Sequence, residues 1–458
     1  MALPDLIEIV PLDKPVRAEI AVPGSKSITN RALILAALAR GETNLLGALW
    51  SEDTQVMVDC LQKLGFEISV ARDPKEVCNR TITVRGLGGK IPDGGTAEKP
   101  LELFVGNAGT AARFLAAFVC LGSGVYRLHG VPRMNERPKA ALFSALRQLG
   151  YRVESENGNE KLPVKIFADG EHGTRNAETK TCTVNIAESS QFASALLLGA
   201  KIGNWEIQVV GENAEESPYV AMTAQLIKVF PHSGGSFQIE PDASSASYFV
   251  AANWLIRFQR REEIESWKDE GLKAHVLSDL YNRPTFVKVA AFPKSNWQMD
   301  AAFPDFLPLP RTISRQTNLG DSIMTAIVMA PFASSPTTFT DLERLRMQEC
   351  ERVVALRTEL AKCGAEISEQ GDTLTVLPSG KKLHGAEIET YHDHRMAMCF
   401  AILGLKVAGI KIKNPACVKK TFPNFFQKMA WPPTGGLGAK IVDGKTGRLL
   451  PHDELFAD

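Results

Sequence analysis

The stretch PGSKSITNRALILAALARG, residues 23–41, is a short polar turn that runs straight into an Ala- and Leu-rich segment. Five more stretches repeat it: GNAGTAARFLAAFVCLG (106–122), SSQFASALLLGAKIG (189–203), SSASYFVAANWL (244–255), GDSIMTAIVMAPFAS (320–334) and DHRMAMCFAILGL (393–405). Taken from Gly24, Asn107, Ser189, Ser244, Gly320 and Asp393, the starts are spaced by about 83, 82, 55, 76 and 73 residues, the mark of a repeated supersecondary unit. Each start predicts a helix N-terminus, where first-turn N–H groups lack intrahelical partners and the dipole favours an anion. Six such ends in one chain point to anionic substrates.

A second repeat interleaves with the first: TQVMVDCLQKLGFEIS (54–69), AALFSALRQLGYRVES (140–155) and RVVALRTELAKCGAEIS (352–368). Apolar residues at helical spacing stop at Gly65, Gly150 or Gly364 and give way to period-two alternation, which reads as helix, glycine cap, strand. Together the two patterns predict an α/β chain built from about six βαβαββ-like modules, three to a lobe. Val22-Pro23 and Glu240-Pro241 bracket the first three turn-helix segments. Because proline restrains its own backbone and that of the preceding residue, hinges are expected near Pro23 and Pro241. One lobe is then 24–241, and the other is discontinuous, 1–23 plus 242–458. Residues 256–316 read as the least regular part, with surface insertions, and the Gly/Pro-rich tail after Pro432 as loosely packed.

A length of 458 residues allows two ordinary domains. Lys plus Arg and Asp plus Glu are both 52, so no basic footprint calls for nucleic acid or a membrane surface, and small molecules are the expected partners. Eight cysteines without a CxxC pair read as reduced and buried. No apolar run is long enough to span a bilayer, and no signal peptide is visible. A cytoplasmic monomer is expected.

Several short motifs carry less than they suggest. Gly24-Ser25-Lys26-Ser27 and Asp443-Gly444-Lys445-Thr446 lack the first glycine of a P-loop, Gly86-Leu87-Gly88-Gly89 opens no helix, and His392-x-His394 has no accompanying metal-ligand pattern. The charges at the turns form a more telling set. Lys26 and Arg31 flank the first helix start, Arg113 lies one turn into the second, and Arg395 lies in the sixth. Arg133-Met134-Asn135-Glu136-Arg137 is echoed by Arg346-Met347-Gln348-Glu349-Cys350-Glu351-Arg352. Clustered guanidinium groups suit phosphate and carboxylate, and an acidic pair such as Asp321 and Glu349 among them suits proton transfer.

The segments PGSKSITNRAL, GNAGTAARFL, PRMNERP, SSQF, DASSASYF, the ECER region, DHRMAMCF and KKTFPNFF occur in this order over nearly the whole chain. In them the sequence resembles the 5-enolpyruvylshikimate-3-phosphate synthases of the enolpyruvyl transferase family. The resemblance implies a two-lobed fold, each lobe three βαβαββ units in an inside-out α/β barrel, closing on its substrates. It implies transfer of the carboxyvinyl group of phosphoenolpyruvate to the 5-hydroxyl of shikimate 3-phosphate, with phosphate released, in aromatic amino-acid biosynthesis. No metal or organic cofactor is implied. The catalytic positions carried over are Lys26, Asp321 and Glu349. Phosphoenolpyruvate would be held by Lys26, Asn107, Gly109, Arg137, Gln191, Arg352, His394, Arg395 and Lys420. Ser27, Arg31, Ser189, Ser190, Gln191, Tyr219, Asp321, Arg344 and Gln348 would hold the acceptor. Departures cluster at the acceptor's 3-phosphate: Glu216 replaces a serine, Gln348 replaces a lysine, and Arg344 stands where the family usually has Asn or Glu. A carboxylate beside a phosphate is unfavourable. Either Arg344 and Ser217 restore the pocket, or the acceptor lacks that phosphate. Phe114 also replaces a family proline behind Gly109. An inactive relative serving as a binding module would be expected to have lost part of this acid, base and anion set.

Overall fold

The computed structural model describes residues 3–92, 94–168, 179–211, 217–266, 268–274 and 286–457. Two compact units divide the chain, Pro23–Glu240 and Met1–Val22 with Pro241–Asp458.

All six turn-helix segments are helical: Lys26–Leu38, Gly109–Phe118, Gln191–Gly203, Ala243–Glu265, Ile323–Met329 and His394–Gly404. Their composition explains their place. Every residue of Gly109–Phe118 is buried, as is every residue from Ile28 to Leu38. A helix apolar on all sides belongs in the middle of a core. In each unit the three repeat helices pack against one another, with sheets around them.

Among the described residues there are four four-stranded sheets, and one pairing pattern recurs in them. In the second module of the Pro23–Glu240 unit, Leu101–Phe104 runs parallel to Gly124–His129, followed by antiparallel Val164–Ala168 and Arg152–Ser155. The repeat helix Gly109–Phe118 connects the parallel pair, and helix Ala140–Gln148 precedes the antiparallel one, which is the βαβαββ order. The sheet of Thr312–Ser314, Thr337–Thr340, Thr373–Val376 and Ile367–Gln370 repeats that order in the other unit. Gly65, Gly150 and Gly364 take φ of +92°, +88° and +84° at the helix-to-strand turns, a conformation open to glycine at little cost.

The tail departs from expectation. Strand Ile441–Asp443 pairs with Leu6–Ile9, while Leu437, Ala439, Ile441, Leu450, Leu455 and Ala457 enter the core. Trp431 also stacks on His452 at 4.5 Å. Glycine and proline here shape a folded connection, and the apolar residues between them supply the burial. Helix Ala243–Glu265 continues into the stretch expected to be irregular, as far as Glu265, and within that stretch residues 275–285 lie outside the described residues.

Candidate active site

In the Pro23–Glu240 unit the helix starts meet through side chains. Arg113, one turn into its helix, donates to Gln191 Oε1 at 2.8 Å, and Gln191 Nε2 donates to Thr110 Oγ1 at 3.3 Å. Those bonds tie the second helix start to the third. Ser189 Oγ accepts the Gln191 amide at 3.3 Å, and Ser190 is the buried cap residue. Arg31 ties the first helix to the third and to helix Pro218–Val229. It donates to Ser27 O at 2.9 Å, Ser194 Oγ at 3.1 Å and Thr223 Oγ1 at 2.7 Å, and lies over the Phe114 ring. Thr223 in turn donates to the Tyr219 carbonyl at 2.8 Å. Burial lowers the Arg31 pKa to about 10, which still leaves it cationic at neutral pH. A buried guanidinium bonded to neutral oxygens retains a full charge to offer an anion. Ser27, Arg31 and Tyr219 are therefore brought together.

A second cation group surrounds Gly109. A Cβ there would lie 2.7 Å from Arg137 Nη1 and 2.9 Å from Arg113 Nη1, so two guanidinium groups crowd the helix start and only a hydrogen fits between. Arg137 is 9 % exposed, and its Nε and Nη1 have no hydrogen-bond partner among the described residues. Buried donors are normally paired. A cation held out of water with open donors is arranged to receive an acceptor. Asn107 Oδ1, just before the same helix, is also buried with no hydrogen-bond partner among the described residues. Lys26 is paired with Asp53 at 3.1 Å.

In the other unit an ion network joins the fifth and sixth helix starts to helix Arg352–Lys362. Asp321 lies 2.8 Å from Arg315, 3.3 Å from Arg395 and 3.8 Å from Arg352, and accepts from Gln348 Nε2 at 3.4 Å. Burial alone would raise its pKa, but Arg395, Arg315 and Arg352 outweigh that and hold it far below the usual carboxylate range. Arg352, 1 % exposed, is gripped by Asp393 at 2.6 Å and 3.2 Å and meets Glu349 at 2.8 Å. Its Nη1 also donates to Gln348 Oε1. Lys420 reaches Glu349 at 3.0 Å. Asp393 caps the sixth helix by accepting the Arg395 amide at 2.8 Å, and His394 follows it, buried. Asp300 bridges the fourth and fifth helix starts, accepting from Ser244 Oγ and, at 2.7 Å, Ser322 Oγ. Burial raises its pKa.

The structure thus gathers Asp321, Gln348, Glu349, Arg352, Arg395 and Lys420 in one cluster, with His394 at its edge. Arg344, half-buried on the short helix Glu343–Arg346, precedes Gln348 by four residues in the chain. Glu216 lies outside the described residues; Ser217 is the buried residue before helix Pro218–Val229. Four residues that hold the site were not read from the sequence: Asp53, Asp300, Arg315 and Asp393. Of these only Asp393 carried a signal, as the residue opening the sixth turn. Among the described residues no three His, Cys, Asp or Glu side chains are placed to hold a metal ion, and His392 is engaged with Asn414 at 2.8 Å. No helix of the described residues is long and apolar enough to cross a membrane.

The family model described as EPSP synthase (3-phosphoshikimate 1-carboxyvinyltransferase) matches residues 11–233 and 230–429. The 3-phosphoshikimate 1-carboxyvinyltransferase of Nostoc punctiforme is 36 % identical over 452 residues, covering 93 % of this chain and 98 % of that protein. The protein of the same name from Vibrio vulnificus is 37 % identical over 439 residues, covering 91 % and 96 %. Among solved structures, EPSP synthase from Acinetobacter baumannii matches with a TM-score of 0.68 at 20 % identity, covering 95 % of this chain and 99 % of that one. The enolpyruvyl transferase NikO from Streptomyces tendae matches with a TM-score of 0.63 at 14 % identity, covering 98 % and 100 %. Those two likenesses speak for the fold, while the family match and the closer identities speak for descent: the chain belongs to the EPSP synthase (3-phosphoshikimate 1-carboxyvinyltransferase) family.

Proposed function

We propose that this protein transfers the carboxyvinyl group of phosphoenolpyruvate to the 5-hydroxyl of shikimate 3-phosphate and releases phosphate, the shikimate-pathway step named for its relatives. The observation that carries this is the cluster in which Asp321 and Glu349 share the guanidinium of Arg352. Two carboxylates among three arginines and a lysine fit both needs of the reaction, anion binding and proton transfer.

The chemistry assigns them work in sequence. The acceptor hydroxyl gives up its proton as its oxygen attacks C2 of phosphoenolpyruvate, while C3 takes a proton. The tetrahedral adduct then loses phosphate and a C3 proton, restoring the double bond. Lys26, Asp321 and Glu349 are the acid and base groups of this reading. In the structure the two carboxylates serve as counter-ions for Arg352, Arg395 and Lys420. A substrate anion taken by those cations releases the carboxylates from that duty and raises their basicity when a proton must be accepted.

Arg137 with its open donors, Gly109, Asn107, Gln191 and Lys26 in one unit, and Arg352, His394, Arg395 and Lys420 in the other, are assigned to phosphoenolpyruvate. Ser27, Arg31, Ser189, Ser190, Gln191 and Tyr219 are assigned to the acceptor, with Asp321, Arg344 and Gln348. Arg344 takes the acceptor phosphate in place of the lysine that Gln348 replaces. Ligand-driven closure about Pro23 and Pro241 belongs to the same reading; scattering that stays unchanged under saturating substrates would count against it. Incubation with both substrates should yield an enol ether with two vinyl protons by NMR. Unaltered shikimate 3-phosphate after complete incubation would overturn the proposal.

A further inference from the structure

Lys139 belongs to none of the roles above. It is fully buried at the start of helix Ala140–Gln148, where the helix dipole disfavours a cation. Its side-chain nitrogen lies 3.3 Å from the Arg137 carbonyl, 3.4 Å from the Met134 carbonyl and 3.7 Å from Met134 Sδ. The charged groups facing it are Arg113 from helix Gly109–Phe118, Arg137 from the end of the short helix Pro132–Glu136, and Lys161 from the segment before strand Val164–Ala168. All three are cations, and no carboxylate among the described residues pairs with it.

Lysine in such a place is costly as a cation and needless as a filler, since a methionine would occupy the volume. What distinguishes it is its neighbour. It donates to the carbonyl of the residue whose guanidinium has buried donors without partners, and it shares with that guanidinium the field of Arg113.

We infer that Lys139 is a proton-linked positioning residue for the anion site at Arg137 and Arg113: an anion bound there draws a proton onto the Lys139 amine, so that anion affinity falls as pH rises. Burial, and then the fields of Arg113, Arg137 and Lys161, lower its pKa to about 6, so at neutral pH the amine is mostly neutral. An anion on the two guanidinium groups cancels part of that field and raises the amine's pKa. The sign follows. A group that takes up a proton on binding makes binding tightest at low pH and weaker as pH rises, by at most tenfold per pH unit. This rests on the assignment of phosphoenolpyruvate to that site.

The test is the pH profile of the phosphoenolpyruvate KM between about pH 7.5 and about pH 9, where the ligand's own phosphate has finished titrating. It compares wild type with Lys139→Met and, should that variant misfold, Lys139→Gln. The wild-type KM should rise at least about threefold more over the range than the variant's, with kcat nearly unchanged. Calorimetry on the wild type, in buffers of different ionisation enthalpy, should show net proton uptake on phosphoenolpyruvate binding. A wild-type protein that turns over phosphoenolpyruvate with no proton uptake, or with the same pH profile as the variants, overturns this inference alone. No phosphoenolpyruvate-dependent turnover in the wild type overturns the proposed function and this inference with it.

Discussion

Gly109→Ala separates binding from folding. The new methyl would stand 2.7 Å from Arg137 Nη1, 3.0 Å from its Cζ and 2.9 Å from Arg113 Nη1. Ordinary contact requires about 3.4 Å or more, so the guanidinium groups must move by about 0.7 Å. The fold should tolerate this, because Gly109 begins a helix, has no positive φ, and alanine is the better helix former by up to about 1 kcal/mol. Among the described residues Arg137 Nη1 also has no hydrogen bond to lose. What the displacement spoils is the cradle for the anion. Losing one charge-assisted hydrogen bond costs about 1.5–3 kcal/mol, which is roughly a ten- to hundredfold rise in the phosphoenolpyruvate KM. Steady-state kinetics and urea denaturation, measured side by side, check both halves. A KM within twofold of wild type at unchanged stability would refute the placement of the anion at Gly109. A loss of stability of several kcal/mol would refute the claim that the crowding matters only to the ligand.

Asp321→Asn and Glu349→Gln should each lower turnover by about 10²- to 10⁴-fold with smaller effects on KM, read by steady-state kinetics. Asp393→Asn leaves the buried Arg352 guanidinium without its bidentate partner and should destabilise the fold by about 3–5 kcal/mol in denaturant titration. The unusual pKa of Lys139 also predicts how stability depends on pH. Its folded value of about 6 lies below the ordinary 10.5, so the unfolded chain binds more protons between those values and stability falls as pH drops through that window, by at most about 1.4 kcal/mol per unit. Lys139→Met should therefore gain stability over wild type, and gain more at about pH 7 than at about pH 9.

Much of the architecture is legible in the sequence because its signals are local. A polar turn followed by an all-apolar run dictates a buried helix with its N-terminus at the edge of the core, and Gly65, Gly150 and Gly364 mark turns that need positive φ. The anion-binding character of the site is legible for the same reason, since Lys26, Arg113 and Arg395 sit at or within about a turn of those starts and Arg31 lies in the second turn of the first helix. The partners of these groups are less visible. Asp393 meets Arg352 across 41 residues, and Asp53 meets Lys26 across 27. Nothing in either local pattern says which acid will meet which base. Asp300 joins two helix starts from a 3₁₀ segment that carries no repeat signal. The tail misleads for a different reason. Glycine and proline density reads as looseness, whereas Leu437, Ile441, Leu450 and Leu455 each find a place in the core.

Phosphate release from phosphoenolpyruvate, with shikimate 3-phosphate compared against shikimate, tests the account most directly. The reaction proposed here, with Arg344 holding the acceptor phosphate, predicts rapid release with shikimate 3-phosphate, a kcat/KM lower by at least about tenfold with shikimate, and loss of that preference in Arg344→Ala. Release with shikimate at an equal or greater rate, or with neither acceptor, would contradict it.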